Sequence, residues 1–394
     1  MHITILGGDG YLGWPSSMYF SKRGYKVTIV DNYFRRNACN NLEIGLLYDV
    51  PSLTERAQIW YELTGLEIKV VICDLSVPFN MRKIFSDKLT YDWAIDHNYS
   101  GIPDTIIHYA EQPSAPYSMM DFQHANTTLL NNLSVTNNLL WAVRDFSPST
   151  HIIKLGTMGE YGTPNIDIEE GWLEIKHKGR NDTFLFPRQA GSLYHTTKIM
   201  DTDLIWFAVR MWDLRVTHLM QGPVYGIETD ESSIDERLNT IFNYDEIFGT
   251  IVNRFVSQAV TGYPLTVYGS GGQTRGYLNI KDVLQCVYMT ERSPSKKGEL
   301  RIFNQIMETF TVSELANLTK KVGDSLGFSV QIKSIPNPRT ESENHYYNPS
   351  YQGLQDLGVK PHFLTENEMS NIFSIVNKYA HNINKELFIK GIKW

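Results

Sequence analysis

Two short stretches carry residue types that can move a proton at an alcohol carbon. Gly156-Thr157-Met158-Gly159-Glu160-Tyr161-Gly162 puts a hydroxyl at the end of the apolar run His151-Ile152-Ile153-Lys154-Leu155. Tyr194-His195-Thr196-Thr197-Lys198 then offers a phenol and an ammonium. In a helix that spacing puts both on one face, roughly 6 Å apart along the axis. An unperturbed phenol has a pKa near ~10, so work as a base near neutrality requires a fall of about 3 units. A nearby ammonium and a positively charged nicotinamide both favour phenolate. Tyr194 is thus the candidate base, Lys198 its electrostatic partner and Thr157 the hydroxyl that holds the reacting oxygen. The same Tyr-Lys spacing also suits an exposed helix pair, so its surroundings decide between the readings.

Those surroundings include a dinucleotide loop. Gly7-Gly8-Asp9-Gly10-Tyr11-Leu12-Gly13 follows the apolar start Ile3-Thr4-Ile5-Leu6 and precedes a helical pattern. Missing β-carbons let the backbone approach a pyrophosphate at a helix N-terminus. Asp31, at the end of the second apolar run, can accept the adenosine ribose hydroxyls and repel a 2′-phosphate, which favours NAD. Arg35 and Arg36 lie close in sequence and would suit NADP instead. Asp74 and the segment Ala110 to Gln112 fall where adenine and the second ribose would lie; each also fits a simple helix or turn cap.

The elements that must position these groups form an alternating series. Candidate strands are His2-Leu6, Val27-Val30, Ile68-Ile72, Thr105-His108, Ile152-Leu155 and Val216-Met220, with helical stretches such as Leu12-Arg23 and Thr127-Asp145 between them. That alternation predicts an α/β fold, a Rossmann-type doubly wound parallel sheet with ligands at the carboxyl ends of its strands. Residues 1–221 are expected to form the NAD-binding domain, with inserts at 34–66 and 163–190. Residues about 270–303 return to it, and 222–269 with 304–394 make a smaller second lobe. Within the second insert, Leu173-Lys176 and Thr183-Phe186 flank Lys178-Gly179-Arg180-Asn181 and suggest a β-hairpin.

Composition narrows the class. The chain has 394 residues, 42% hydrophobic and 20% charged, with net charge -7, ordinary for a globular enzyme and contrary to a nucleic-acid partner. Cys39, Cys73 and Cys286 lack metal-ligand spacing, so no metal is expected, and their sparse odd count reads as reduced thiols in a cytoplasmic setting. No run reaches the ~18 apolar residues of a membrane span. With a strand expected from His2, no signal or transit peptide is expected before the fold.

Together these motifs resemble the extended short-chain dehydrogenase/reductase superfamily, nearly end to end. Arg275-Gly276-Tyr277-Leu278-Asn279-Ile280-Lys281-Asp282 and Asn337-Pro338-Arg339 match its later signatures. Narrower blocks are similar to the UDP-sulfoquinovose synthases, a family within it: Gly156 to Gly171, Glu111-Gln112 with Ser114 to Met119, Gly271 to Leu278, and His345 to Asn348. The resemblance implies NAD as cofactor and UDP-glucose with sulfite, or a sulfite-donating protein, as substrates. It implies oxidation at C4, loss of water across C5–C6, addition of sulfite at C6 and re-reduction at C4. It further implies cofactor contacts from Gly7, Asp9, Gly10, Tyr11, Gly13, Asp31, Asn32, Arg35, Arg36, Asp74, Leu75, Ala110, Gln112, Asn131, Tyr194, Lys198, Gln221 and Val224. Substrate contacts are implied for Thr157, Met158, Tyr194, His195, Gln221, Thr266, Tyr268, Gln273, Arg275 and Arg339, the two arginines as forks for the UDP pyrophosphate.

The Met158-Gly159-Glu160 segment departs from related 4,6-dehydratases, which place Asp-Glu directly after the threonine. One carboxylate is lost and the other displaced, so Glu160 or His195 is expected to move the protons of elimination. A structural carboxylate and a satisfied helix histidine are the plain alternatives. Arg188, His177 and Arg180 are candidates for holding sulfite. Pro113 stands where plant-like members have arginine, and Val135 where the superfamily usually has glycine. Competing activities on this fold are a UDP-sugar 4-epimerase or 4,6-dehydratase and, from another class, a non-catalytic dinucleotide-sensing scaffold. Superfamily members commonly pair through two helices, one of them the Tyr-Lys helix, so a homodimer is expected. Leu204 to Val209 would supply its apolar surface or pack internally instead.

Overall fold

A computed structural model describes residues 1–86, 89–96, 101–339 and 344–393. Seven parallel strands form the central sheet: β1 (His2–Leu6), β2 (Lys26–Asp31), β3 (Ile68–Ile72), β4 (Thr105–His108), β5 (His151–Thr157), β6 (Arg215–Gln221) and β7 (Leu300–Gln305). Their order is β3-β2-β1-β4-β5-β6-β7. All pairings are parallel, so both faces are covered and the strands read as near-continuous apolar runs. The order reverses between β1 and β4, which opens the crevice where such sheets bind ligands.

The strands extend slightly beyond their apolar runs at the functional end. β5 continues through Gly156 to Thr157 because β6 runs beside it, pairing Leu155 with Leu219, Gly156 with Met220 and Thr157 with Gln221. Thr157 and Gln221 therefore emerge side by side. The helix Gly13–Lys22 starts on the last glycine of the loop. The Tyr-Lys helix, Leu193–Trp212, is capped by Ser192, whose Oγ accepts from His195 N at 3.2 Å. That cap fixes Tyr194 and Lys198 on its first turns. The helix Phe122–Phe146 begins earlier than its apolar pattern because Asp121 caps it.

The expected hairpin is present: Trp172–His177 pairs antiparallel with Arg180–Leu185. Lys178 and Gly179 both have positive φ, 46° and 79°, the geometry of a tight two-residue turn. A second core gathers Tyr244, Phe255, Leu315, Phe373 and Phe388. Ala38, Cys39, Ile44, Leu47 and Tyr48, from the segment after β2, pack into this same core. Of the apolar stretch in the Tyr-Lys helix, Ile205, Ala208 and Val209 are buried, while Phe207 stays exposed. No helix among the described residues is long and apolar enough to cross a membrane.

Candidate active site

The carboxyl ends of the strands border a cavity of about 770 Å³. Its walls carry Gly7, Gly10 and Gly13 at one end, Thr157, Met158, Tyr194 and His195 in the middle, and Thr266, Tyr268, Gln273, Arg275 and Arg339 at the other.

The glycine end fits a dinucleotide. Gly7 has φ 87°, and a β-carbon there would sit 2.8 Å from Ala110 N; one on Gly13 would overlap the Gly7 carbonyl oxygen, whereas Gly10 is open toward the cavity. Asp31 lines the cavity too. It accepts from Asp9 N at 2.8 Å and Tyr33 N at 2.6 Å, and burial, with Asp9 beside it, raises it to about 6. Tyr11, Asn32, Arg35, Asp74, Leu75, Ala110, Asn131, Gln221 and Val224 all lie on the cavity wall. Asp74 doubles as a turn cap, accepting from Ser76 N at 2.9 Å.

Asp9 and Arg36, both expected at the cofactor, are engaged elsewhere. Arg36 forms a bidentate pair with Asp9, at 2.7 and 2.8 Å, and donates to the carbonyls of Val50 and Pro51. Arg56, fully buried, joins Asp9 at 2.5 Å. Neither Asp9 nor Arg36 faces the cavity, so Arg36 is not presented to a 2′-phosphate. Arg35 does reach the wall, where it lies over the Phe248 ring and donates to Asn243 Oδ1. Gln112 is also a structural residue: wholly buried, it is tied to Thr128, Ser114 and Asn132.

Thr157 Oγ accepts from Gly159 N at 3.2 Å, which leaves its hydrogen to donate toward a ligand oxygen. Tyr194 reaches the cavity from its helix. Burial, and then the Glu111 carboxylate, hold its phenol above the ordinary value, opposite to what a base requires. Lys198 is buried behind it, donating to Glu111 Oε2 and the Leu155 carbonyl rather than lining the cavity. Burial opposes its charge, but Glu111 raises it above the ordinary lysine value.

Glu160 is not brought to the cavity. Wholly buried, its carboxylate accepts from Thr202 Oγ1 at 2.8 Å and Thr157 N at 3.3 Å, with Arg188 Nε at 3.7 Å. It closes a capping box on the turn Met158–Glu160, and burial raises it to about 7. His195 does line the cavity, its Nδ1 3.0 Å from Ser192 Oγ. The ring lies directly over Gly159, where a β-carbon would overlap its Cδ2 and Nε2. Burial, then Arg339 and Arg275, lower it to about 3, so it is neutral near pH 7.

At the far end, Arg275 donates to the Thr274 carbonyl at 2.8 Å beside His345. Tyr268 donates to Glu246 Oε1 at 3.1 Å, and Gln258 holds Thr266. Arg254 and Glu246, missed from the sequence, also line the cavity; Arg254, a charge among Ile251, Val252, Phe255 and Val256, had a local signal, and Glu246, beside Asp245, had none. Pro113 sits on the wall. His177 and Arg180 pair across the tip of the exposed hairpin, and Arg188 is buried beside Glu160 and Asp203, so none of the three lines the cavity. Val135 packs in the core at the cavity edge.

Residues 3–304 match the NAD dependent epimerase/dehydratase family. The chloroplastic UDP-sulfoquinovose synthase of Spinacia oleracea is 43% identical, over 100% of this chain and 79% of that protein. The UDP-sulfoquinovose synthase of Sulfolobus acidocaldarius is 41% identical over 92% of this chain and 88% of its own. Among solved structures, UDP-glucose 4-epimerase from Bifidobacterium longum with NAD+ and UDP superposes with a TM-score of 0.70 at 18% identity, covering 97% and 100% of the two chains. UDP-glucuronic acid 4-epimerase from Bacillus cereus, with UDP-glucuronic acid and NAD, gives 0.69 at 17%, covering 96% and 99%.

Proposed function

The chain belongs to the NAD dependent epimerase/dehydratase family, and on that premise we propose that it carries UDP-sulfoquinovose synthase activity, joining UDP-glucose and sulfite into UDP-sulfoquinovose and water. One observation carries this reading beyond the chain-long likeness: the imidazole of His195 stands over Gly159, next to Thr157 and Tyr194, at the position where dehydratases carry a glutamate.

NAD, when bound, supplies reversible oxidation of the sugar C4 alcohol. Tyr194 takes the proton of the C4 hydroxyl while Thr157 donates to the same oxygen, and Lys198 holds positive charge behind the phenol. The resulting C4 ketone acidifies the C5 proton. His195, neutral at working pH, accepts that proton and returns one to the departing C6 hydroxyl, so that water leaves and a C5=C6 enone remains. Sulfur of sulfite bonds to C6, a proton goes to C5, and Tyr194 reprotonates the C4 oxygen as the ketone is reduced. Glu160 is read as the carboxylate that fixes the Thr157 turn, not as a proton carrier. Arg275 and Arg339 hold the UDP pyrophosphate, with Tyr268, Thr266, Gln273 and Gln221 around uracil and sugar.

Residues 1–221 are read as the NAD-binding domain and the later lobe as the nucleotide-sugar side. A homodimer through the helices Phe122–Phe146 and Leu193–Trp212 is supported by Met200, Phe207 and Met211, which form one exposed stripe, with Leu130 and Trp141 exposed on the neighbouring helix. A cytoplasmic compartment is supported by three unpaired cysteines. Mass spectrometry of the product from UDP-glucose and sulfite tests the activity. A sulfonated nucleotide sugar that requires sulfite is expected; UDP-galactose or a 4-keto-6-deoxy sugar formed regardless of sulfite overturns it.

A further inference from the structure

A charged cluster is buried behind Tyr194, and of its members only Lys198 has a role in the chemistry above. Lys154 lies in the middle of β5, 1% exposed, in a strand covered on both faces. Its ammonium donates to Glu111 Oε1 and lies 3.2 Å from Asp201 Oδ2. The other oxygen of Glu111 accepts from Lys198. One carboxylate, in the loop after β4, thus bridges two ammoniums that come from different elements. An apolar residue would fill the Lys154 position at lower desolvation cost, so its charge is the property that needs explaining.

We propose that Glu111 and Lys154 are positioning residues that set the proton affinity of the Tyr194 hydroxyl through Lys198. Lys198 is the ammonium that must favour phenolate, and Glu111 offsets part of its field. Lys154 in turn offsets Glu111. Burial holds the Asp201 carboxyl well above the ordinary range, while Lys154 and Lys198, against the effect of burial, hold Glu111 well below it. Asp201 thus favours its proton and Glu111 its charge, so the charges set beside the phenol are the two ammoniums of Lys154 and Lys198 against the Glu111 carboxylate they share. The remaining groups around Tyr194 do not alter that count. His108, 4.0 Å from Glu111, and His218, near Glu160, are both kept neutral by burial and Lys154, His195 is neutral, and Glu160 is common to every variant below.

The proposal rests on C4 oxidation and gives shifts of opposite sign, which a purely structural role would not. Lys154→Met removes the surplus charge, so the acid limb of C4 oxidation moves up by about one pH unit. Glu111→Gln, made together with Asp201→Asn so that no second carboxylate ionises in its place, moves it down by a similar amount. Lys154→Arg restores the limb. The measurement is the pH dependence of single-turnover nicotinamide reduction by NAD-loaded protein and UDP-glucose. It is paired with the phenolate difference spectrum of the same protein against Tyr194→Phe, which reads the phenol without turnover. Bound NAD content reports folding, and either variant alone suffices if the other fails to fold. Limbs and phenolate titrations that coincide with wild type, or that shift in the same direction, overturn the proposal. Wild-type protein that never reduces its NAD, yet shows the opposed phenolate shifts, overturns the activity and leaves this cluster's role standing.

Discussion

The imidazole of His195 lies where the side chain of residue 159 would have to go, and a β-carbon on Gly159 would overlap its Cδ2 and Nε2. Glycine at 159 and histidine at 195 are therefore a matched pair. Gly159→Ala is expected to displace the ring and slow elimination by about 100-fold or more, while C4 oxidation persists. Stopped-flow absorbance checks this: reduced nicotinamide should accumulate on addition of UDP-glucose while sulfonated product falls. Unchanged product formation would take His195 out of the elimination step.

Tyr194 is expected to be required for proton movement at C4 but not for holding the dinucleotide. Tyr194→Phe should lower turnover by at least about 100-fold with bound NAD unchanged, measured by release of the cofactor on denaturation. Loss of NAD together with activity would instead indicate a binding role.

Asp9 ties the glycine loop to two arginines, one of them wholly buried. Asp9→Ala leaves Arg56 without its carboxylate and is expected to destabilise the protein by about 3 kcal/mol, read from denaturant unfolding. The milder Asp9→Asn releases Arg36, and its discrimination for NAD over NADP should fall in binding titrations. Arg36→Met in the Asp9→Asn background should reverse that fall.

The cavity was legible in the sequence where its chemistry lies in local spacing. The glycine loop, Asp31, Thr157 and the Tyr-Lys pair all sit at strand ends or helix starts, and the apolar runs fixed His2–Leu6, Ile68–Ile72 and Thr105–His108 to the residue. The hairpin was legible because Lys178-Gly179 accepts positive φ. Pairings between distant segments were not. Asp9 meets Arg36, and Glu111 meets Lys154, because β1 neighbours β2 and β4 neighbours β5, while Arg56 and Lys198 reach the same carboxylates from helices. Lys154 inside an apolar strand was the one local sign that a buried counter-charge was needed.

Glu160 gives the pH dependence of stability a definite sign. Its folded value is raised from 4.5 to about 7, so the folded state holds its proton more tightly than the unfolded chain. The stabilisation is full below about pH 4.5 and is lost as pH rises through about 7, by roughly 3 kcal/mol. Unfolding at about pH 5 and about pH 8 should differ less in Glu160→Gln than in wild type. An identical difference in both proteins would exclude Glu160 as the source.

The exposed stripe on the Tyr-Lys helix should hold two copies together. Phe207→Glu with Met211→Glu is expected to halve the molar mass seen by light scattering and leave the secondary structure intact. A wild-type protein already monomeric at micromolar concentration would remove this interface.

The second core draws on residues as far apart as Ala38 and Phe388. That core cannot close before Phe388 has been synthesised, so it consolidates after the central sheet, whose last strand ends at Gln305. Until then the segment after β2 leaves its apolar side chains in water, although the sheet that flanks it can already pair. Long-range closure of this kind slows folding. The vulnerable species during synthesis is therefore one with a formed glycine loop and an unfinished second core.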